Sequence, residues 1–213
     1  MGCLRGAKPL LNSSPSLGEG EEGDMVRQRS NLGDCTMNEL KATINQMEDN
    51  ALAPDYCRKG TVVMGCGNSL FGDDGFGPAV VDYLESHYQV PDDVAVLDVG
   101  TGIRELLFNI ILSECRPKRL VILDALDCGR TPGEIFNVNI EDIPAAKISD
   151  FSVHLLPTIN MLKELRDLCG VDVVVLAVQP QLIPESVTVG LSPCVEKAVA
   201  AVAGQIASSY FSR

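Results

Sequence analysis

Seven side chains of this 213-residue chain have both the type and the placement to do chemistry: Asp73, Asp74, Asp98, Thr101, Asp124, Asp127 and His154. Asp73 and Asp74 lie in the segment 65–77, where five glycines fall in thirteen residues directly after the apolar run Thr61-Val62-Val63-Met64. Asp98 and Thr101 follow a second apolar run, Asp124 and Asp127 a third, and His154 precedes an apolar helical pattern. Two carboxylates and an imidazole are a natural ligand set for a divalent transition metal, because imidazole suits nickel, zinc and iron and carboxylates complete the shell. Three protein ligands leave positions open for water or a substrate group. Plainer roles stand beside this one. Asp124 could cap a turn, His154 could be a satisfied loop histidine, and Asp73-Asp74 could solvate a tight turn, as Asp-Gly sequences do. The second histidine, His87, ends an amphipathic pattern among Glu85, Ser86 and Tyr88 and reads as a solvated surface residue.

The elements that must hold these residues alternate. Strands are expected at 61–65, 94–98, 119–123, 134–138 and 171–178, and helices at 77–88, 103–112, 158–168 and from Ser192-Pro193 to about 209, with a loop at 141–156. Pro78 suits a first helical turn, and Gly170 suits a helix stop. Strands alternating with helices imply an α/β fold. The expected architecture has three layers: a mainly parallel, five-stranded twisted sheet with helices on both faces. The 134–138 strand has no helix before it and is expected to pair antiparallel, which makes the sheet mixed. In such sheets ligands bind beyond the carboxyl ends of the strands. The glycines of the 65–77 loop are expected to let the turn pass close to a partner. The ordered unit is expected over residues 58–213, large enough to bury roughly 70% of its unfolded surface. Residues 1–57 form a tail that contains the low-complexity run Asn12–Gly23 and is expected to be disordered, with one polar helix possible over Met37–Asn50.

Several function classes are disfavoured. A net charge of −12 argues against a nucleic-acid partner. No apolar run has the length of a membrane span. Gly6 breaks an N-terminal myristoylation motif. The eight cysteines include no CxxC pair and no histidine at zinc-finger spacing, and read as scattered thiols in a reducing, cytoplasmic setting. A dinucleotide fingerprint fails because Leu70 stands where the third glycine belongs, and two acids would repel a pyrophosphate. No GxSxG elbow occurs. Cys66 lies in the loop, but acidic neighbours disfavour a thiolate nucleophile.

Six blocks in order resemble the nickel–iron hydrogenase maturation endopeptidases: Gly65-x-Gly67-Asn68-x-Leu70-x-x-Asp73-Asp74-Gly75-x-Gly77; Asp98-Val99-Gly100-Thr101; Arg116-Pro117-x-Arg119-Leu120-Val121-Ile122-Leu123-Asp124-Ala125; Pro132-Gly133-Glu134-Ile135; Ser152-x-His154; and Gln179-Pro180 with Gly190-Leu191-Ser192-Pro193. The similarity spans about residues 60–208, and Val99 replaces a glycine of the family pattern. It makes 58–213 a hydrogenase maturation protease domain. The resemblance implies an endopeptidase that removes a short C-terminal extension from the hydrogenase large-subunit precursor. Nickel already bound in that precursor is the recognition signal, and no organic cofactor is needed. By the same resemblance the nickel contacts, which are also the catalytic residues, are Asp74, Asp124 and His154. The Asp-Asp pair and the Pro-Gly-Glu-Ile block look most like the branch serving formate-hydrogenlyase and deazaflavin-reducing hydrogenases. Asp73 is expected to be solvent-exposed rather than an acid orienting the ligands. Two other readings remain at this stage: a non-catalytic chaperone that checks nickel loading of the same precursor, and a hydrolase of related fold acting on a small molecule.

Overall fold

The structure, a computed structural model, describes residues 53–142 and 159–211. The tail helix considered over 37–50, most of the 141–156 loop and His154 lie outside the described residues. The strands are β1 (Thr61–Cys66), β2 (Val94–Gly100), β3 (Arg119–Ala125), β4 (Ile135–Asn137) and β5 (Asp172–Val178). The helices are α1 (Phe76–His87), α2 (Ile103–Leu112), α3 (Ile159–Asp167) and α4 (Pro193–Ile206), the last continuing into a π-helical turn at Ala207–Phe211.

The sheet order is β2-β1-β3-β5-β4. The first four strands are parallel, and β4 runs antiparallel on the edge beside β5, so the sheet is mixed as expected. Alternation along the strands divides the core in two. Val62, Met64, Cys66, Leu120, Ile122 and Ala177 face α2 and α3, where Leu107, Ile110, Leu162 and Leu165 close the layer. Val63, Val121, Leu123 and Val178 face α1 and α4, covered by Phe76, Val80, Leu84, Val199 and Val202. Both helices of that second layer start with a proline in the first turn, Pro78 and Pro193, where a missing N–H costs nothing.

The chain leaves β1 for β2 on one side and reaches β3 on the other. The crevice beyond the carboxyl ends of β1 and β3 is therefore the point where the strand order reverses, the preferred ligand position in open α/β sheets. Each of these strands runs further than the apolar runs suggest. Cys66 pairs with Gly100 across a register shift after Gly65, and Asp124 and Ala125 pair with Ala177 and Val178. Asp98 and Asp124 thus lie within strands rather than after them, because a neighbouring strand continues to supply backbone partners.

Candidate active site

Asp74 lies in the loop that follows β1, and Asp124 lies at the end of β3, the strand beside it. Gly65 of β1 pairs with Leu123 of β3, so the next step along brings Cys66 beside Asp124. Both side chains point to the α2/α3 face, since Cys66 belongs to that core and Asp124 lies two residues beyond Ile122. Asp124 is fully buried, and its Oδ1 accepts the Ala125 N–H at 2.8 Å.

The glycine-rich loop then folds over this point. Gly67 takes a φ of 117° and donates its N–H to the Gly100 carbonyl at 3.0 Å, tying the loop to the end of β2. An Asx-type turn follows, with the Leu70 N–H donating to Asn68 Oδ1 at 3.0 Å. A 3-10 turn over Gly72–Gly75 carries the two aspartates. Asp74 is 6% exposed, and its Oδ2 accepts the Asn68 N–H at 2.7 Å. The loop therefore orients the Asp74 carboxylate with its own backbone.

The expected role of the glycines is corrected here. They face the protein's own backbone, not a partner. A side chain at Gly67 would overlap the Asp74 carbonyl. One at Gly77 would overlap the Cys66 backbone and stand 2.7 Å from the Leu123 carbonyl, and one at Gly65 would run into Gly77 and stand 2.8 Å from Val81. Gly65 and Gly77 let α1 lie backbone-to-backbone on β1, which holds the loop between them in one shape.

Asp73 also differs from its expectation. It is 1% exposed, not at the surface. Its Oδ2 accepts the N–H groups of Gln181 at 2.7 Å and Leu182 at 3.1 Å and the Ser192 hydroxyl at 2.9 Å, while Oδ1 accepts the Ser192 N–H at 2.6 Å. The residue clamps the β5–α4 connection onto the glycine-rich loop. Ser192 spends its hydroxyl on this clamp, so α4 starts without a side-chain cap.

The remaining candidates separate. Asp98 and Thr101 are exposed at the end of β2, and Asp98 Oδ1 accepts the Gly100 N–H at 3.0 Å. Asp127 is exposed and caps its own turn. A hydrogen bond from Gln179, then one from Gly129, lower its carboxyl below the usual range. Gln179 is a residue the sequence reading matched without giving it a role. It is buried and saturated: Oε1 accepts the N–H groups of Cys128 at 2.9 Å and Arg130 at 3.0 Å, and Nε2 donates to Asp127 at 2.9 Å and the Pro180 carbonyl at 3.2 Å. It fixes the loop that leaves β3 just after Asp124. Nothing in the spacing of Gln179 marks it; only the strand-end position before Pro180 could have. His87 is exposed, stacks on Tyr83 at 3.9 Å and bonds to its carbonyl, in line with a surface role.

Cys66 reports the electrostatics of the crevice. Burial pushes its thiol well up, and the charges of Asp124, Asp74 and Asp98 push it further. The thiol stays protonated, so it is no nucleophile. The same three carboxylates create a field that favours a cation. Among the described residues no group of three His, Cys, Asp or Glu side chains could hold a metal by itself. Asp74 and Asp124 supply an incomplete set, suited to a cation that brings other ligands with it.

Known proteins are similar to this chain in sequence and in fold. The family model for hydrogenase maturation proteases matches residues 78–209. A protein of Methanocaldococcus jannaschii provisionally named a hydrogenase maturation protease is 36% identical over 143 residues, 67% of this chain and 90% of its own. The coenzyme F420 hydrogenase subunit delta of Methanothermobacter thermautotrophicus is 36% identical over 142 residues, 65% of this chain and 86% of its own. The hydrogenase-maturating endopeptidase HybD of Escherichia coli superimposes with a TM-score of 0.57 at 28% identity, covering 70% of this chain and 90% of that one. With a strand order that reverses at β1 and β3, a family-model match over residues 78–209 and these relatives in sequence and fold, the protein belongs to the hydrogenase maturation protease family.

Proposed function

We propose that this protein is a nickel-dependent, aspartic-type endopeptidase of the cytoplasm that removes a short C-terminal extension from the large-subunit precursor of a nickel–iron hydrogenase. The observation that carries the reading is the pair Asp74, in the loop after β1, and Asp124, at the end of β3, which both act on Cys66 without a described group of three metal-ligating side chains. Nickel arrives with the substrate, and the incomplete carboxylate set suits a transient contact with it. His154 would complete the set. It lies five residues before α3, which begins at the carboxyl edge of the sheet on the face where Asp124 points. Five residues reach at most roughly 17 Å, enough to bring an imidazole to that edge.

The chain's own groups then have separable tasks. The Asn68 N–H holds one oxygen of Asp74 in place, and the Ala125 N–H holds one of Asp124. A substrate-borne cation held beside the two carboxylates would supply Lewis acidity toward the scissile carbonyl. A carboxylate so oriented can accept a proton from the attacking water. Asp74, the more accessible of the two, is the residue we assign to that work.

The test is incubation with precursor carrying or lacking nickel, read by the mass of the precursor C-terminus. Cleavage only of the nickel-loaded form is expected. Asp74→Asn, Asp124→Asn and His154→Ala should each slow it by about 10²- to 10⁴-fold while leaving the thermal midpoint near that of the parent. A protein that binds loaded precursor and leaves its mass unchanged would instead be a non-catalytic checkpoint of nickel loading.

A further inference from the structure

The connection between β5 and α4 exposes more apolar surface than its own packing explains. Val187 is 64% and Val189 75% exposed, and Leu182, Ile183 and, across from them, Leu70 are also exposed. Thr188 between the two valines pairs in parallel with Phe71. Its N–H donates to the Leu70 carbonyl at 2.8 Å, and its carbonyl accepts the Gly72 N–H at 2.7 Å. Both backbone groups of Thr188 therefore face the glycine-rich loop. In an extended chain the groups of the flanking residues face the other way, and those of Val187 and Val189 have no backbone partner among the described residues. This is an open strand edge with an exposed β-branched side chain on either side of its paired residue. Open edges recruit added strands.

The edge is also held in register with the proposed active site. The Asp73 clamp fixes Gln181, Leu182 and Ser192, which bracket the segment, and Asp73 precedes Asp74. Three residues of edge are far too short for a stable dimer, which needs on the order of 1,200 Å² or more of buried surface. They suffice to align one extended peptide. We propose that Val187–Val189 is a docking edge on which an extended, apolar segment of the protein substrate, flanking the bond to be cut, adds as a short strand. The proposal rests on the protease reading above for the identity of its occupant.

The experiment uses the full chain and nickel-loaded precursor, with three variants: Val187→Asp, Val189→Asp and Val189→Pro. The last removes one outward N–H and keeps the apolar character. Two readouts are taken, steady-state cleavage and direct titration of binding to the precursor. Each variant is expected to raise KM and weaken binding by ~10-fold, the scale of one or two lost hydrogen bonds, with kcat within about 2-fold. Unaltered thermal midpoints exclude misfolding. Wild-type protein that fails to cleave would remove the protease reading, and the binding titration still decides the docking edge. Affinity within about 2-fold of wild type in all three variants, or loss of kcat with KM unchanged, would overturn the edge. So would a wild-type dimer in sedimentation that Val187→Asp dissociates, since a second copy would then be the occupant.

Discussion

A carboxylate with almost no exposed surface needs donors, and Asp73 receives four from residues of the β5–α4 connection and the start of α4. Asp74 takes its backbone donor from within the loop and keeps an edge toward the crevice. One acid clamps two segments together, and the other is the proposed site carboxylate. Cys66 lies within the field of Asp74, and its raised thiol has a thermodynamic consequence. The folded protein holds the thiol proton to higher pH than the unfolded chain does. Above the unfolded value of about 8.5, the unfolded state therefore binds fewer protons, and stability falls as pH rises. A urea midpoint that declines from about pH 8.5 to 10, and declines less in Cys66→Ala, is the expected result. Parallel profiles for the two proteins would contradict it. Sequence distinguishes these residues poorly. Adjacent aspartates look alike on the page, and only the long-range donors at 181, 182 and 192 tell the Asp73 clamp from Asp74.

Among elements, the contact of α1 with β1 matters most for the site. Gly77 places the first turn of α1 against the Cys66 backbone and the Leu123 carbonyl, and the loop bearing Asp74 spans the short path between strand and helix. Gly77→Ala must separate the two elements. Overpacking usually costs about 1–3 kcal/mol, and a backbone obstacle cannot swing aside as a side chain can, so a loss of about 3 kcal/mol or more in chemical denaturation is expected. Processing should fall as well, since Asp74 moves with the helix start. A variant with parental stability would show that the helix shifts freely. The positions of strands and helices are legible in the sequence because period-2 and period-3.6 patterns reflect the two faces each element buries. So is the antiparallel edge strand, from the missing crossover helix before Glu134. Strand ends are not legible: β2 and β3 continue past their apolar runs because β1 and β5 still offer backbone partners. The open edge at 187–189 is equally hidden, since polar and apolar residues mix there without a period.

At the scale of the molecule, two separate apolar layers sandwich the sheet, and three carboxylates, Asp74, Asp98 and Asp124, all act on Cys66 at one point. The field and the topology agree on the same crevice, in line with the cation-bearing substrate proposed above. The Asp73 clamp joins residues separated by 108 to 119 positions. Its donors come from the last connection and the last helix of the domain. Closing so long a loop is entropically costly until neighbouring elements have docked. The loop that carries Asp74 must therefore wait, with Asp73 still hydrated, for nearly the whole domain to assemble. A folding φ-value close to zero for Asp73→Asn is the expected signature, and a value near one would place the clamp in the nucleus. An unfinished copy of this chain, still emerging or missing α4, would leave the Asp74 loop unclamped and, on the proposed function, would spare the precursors around it.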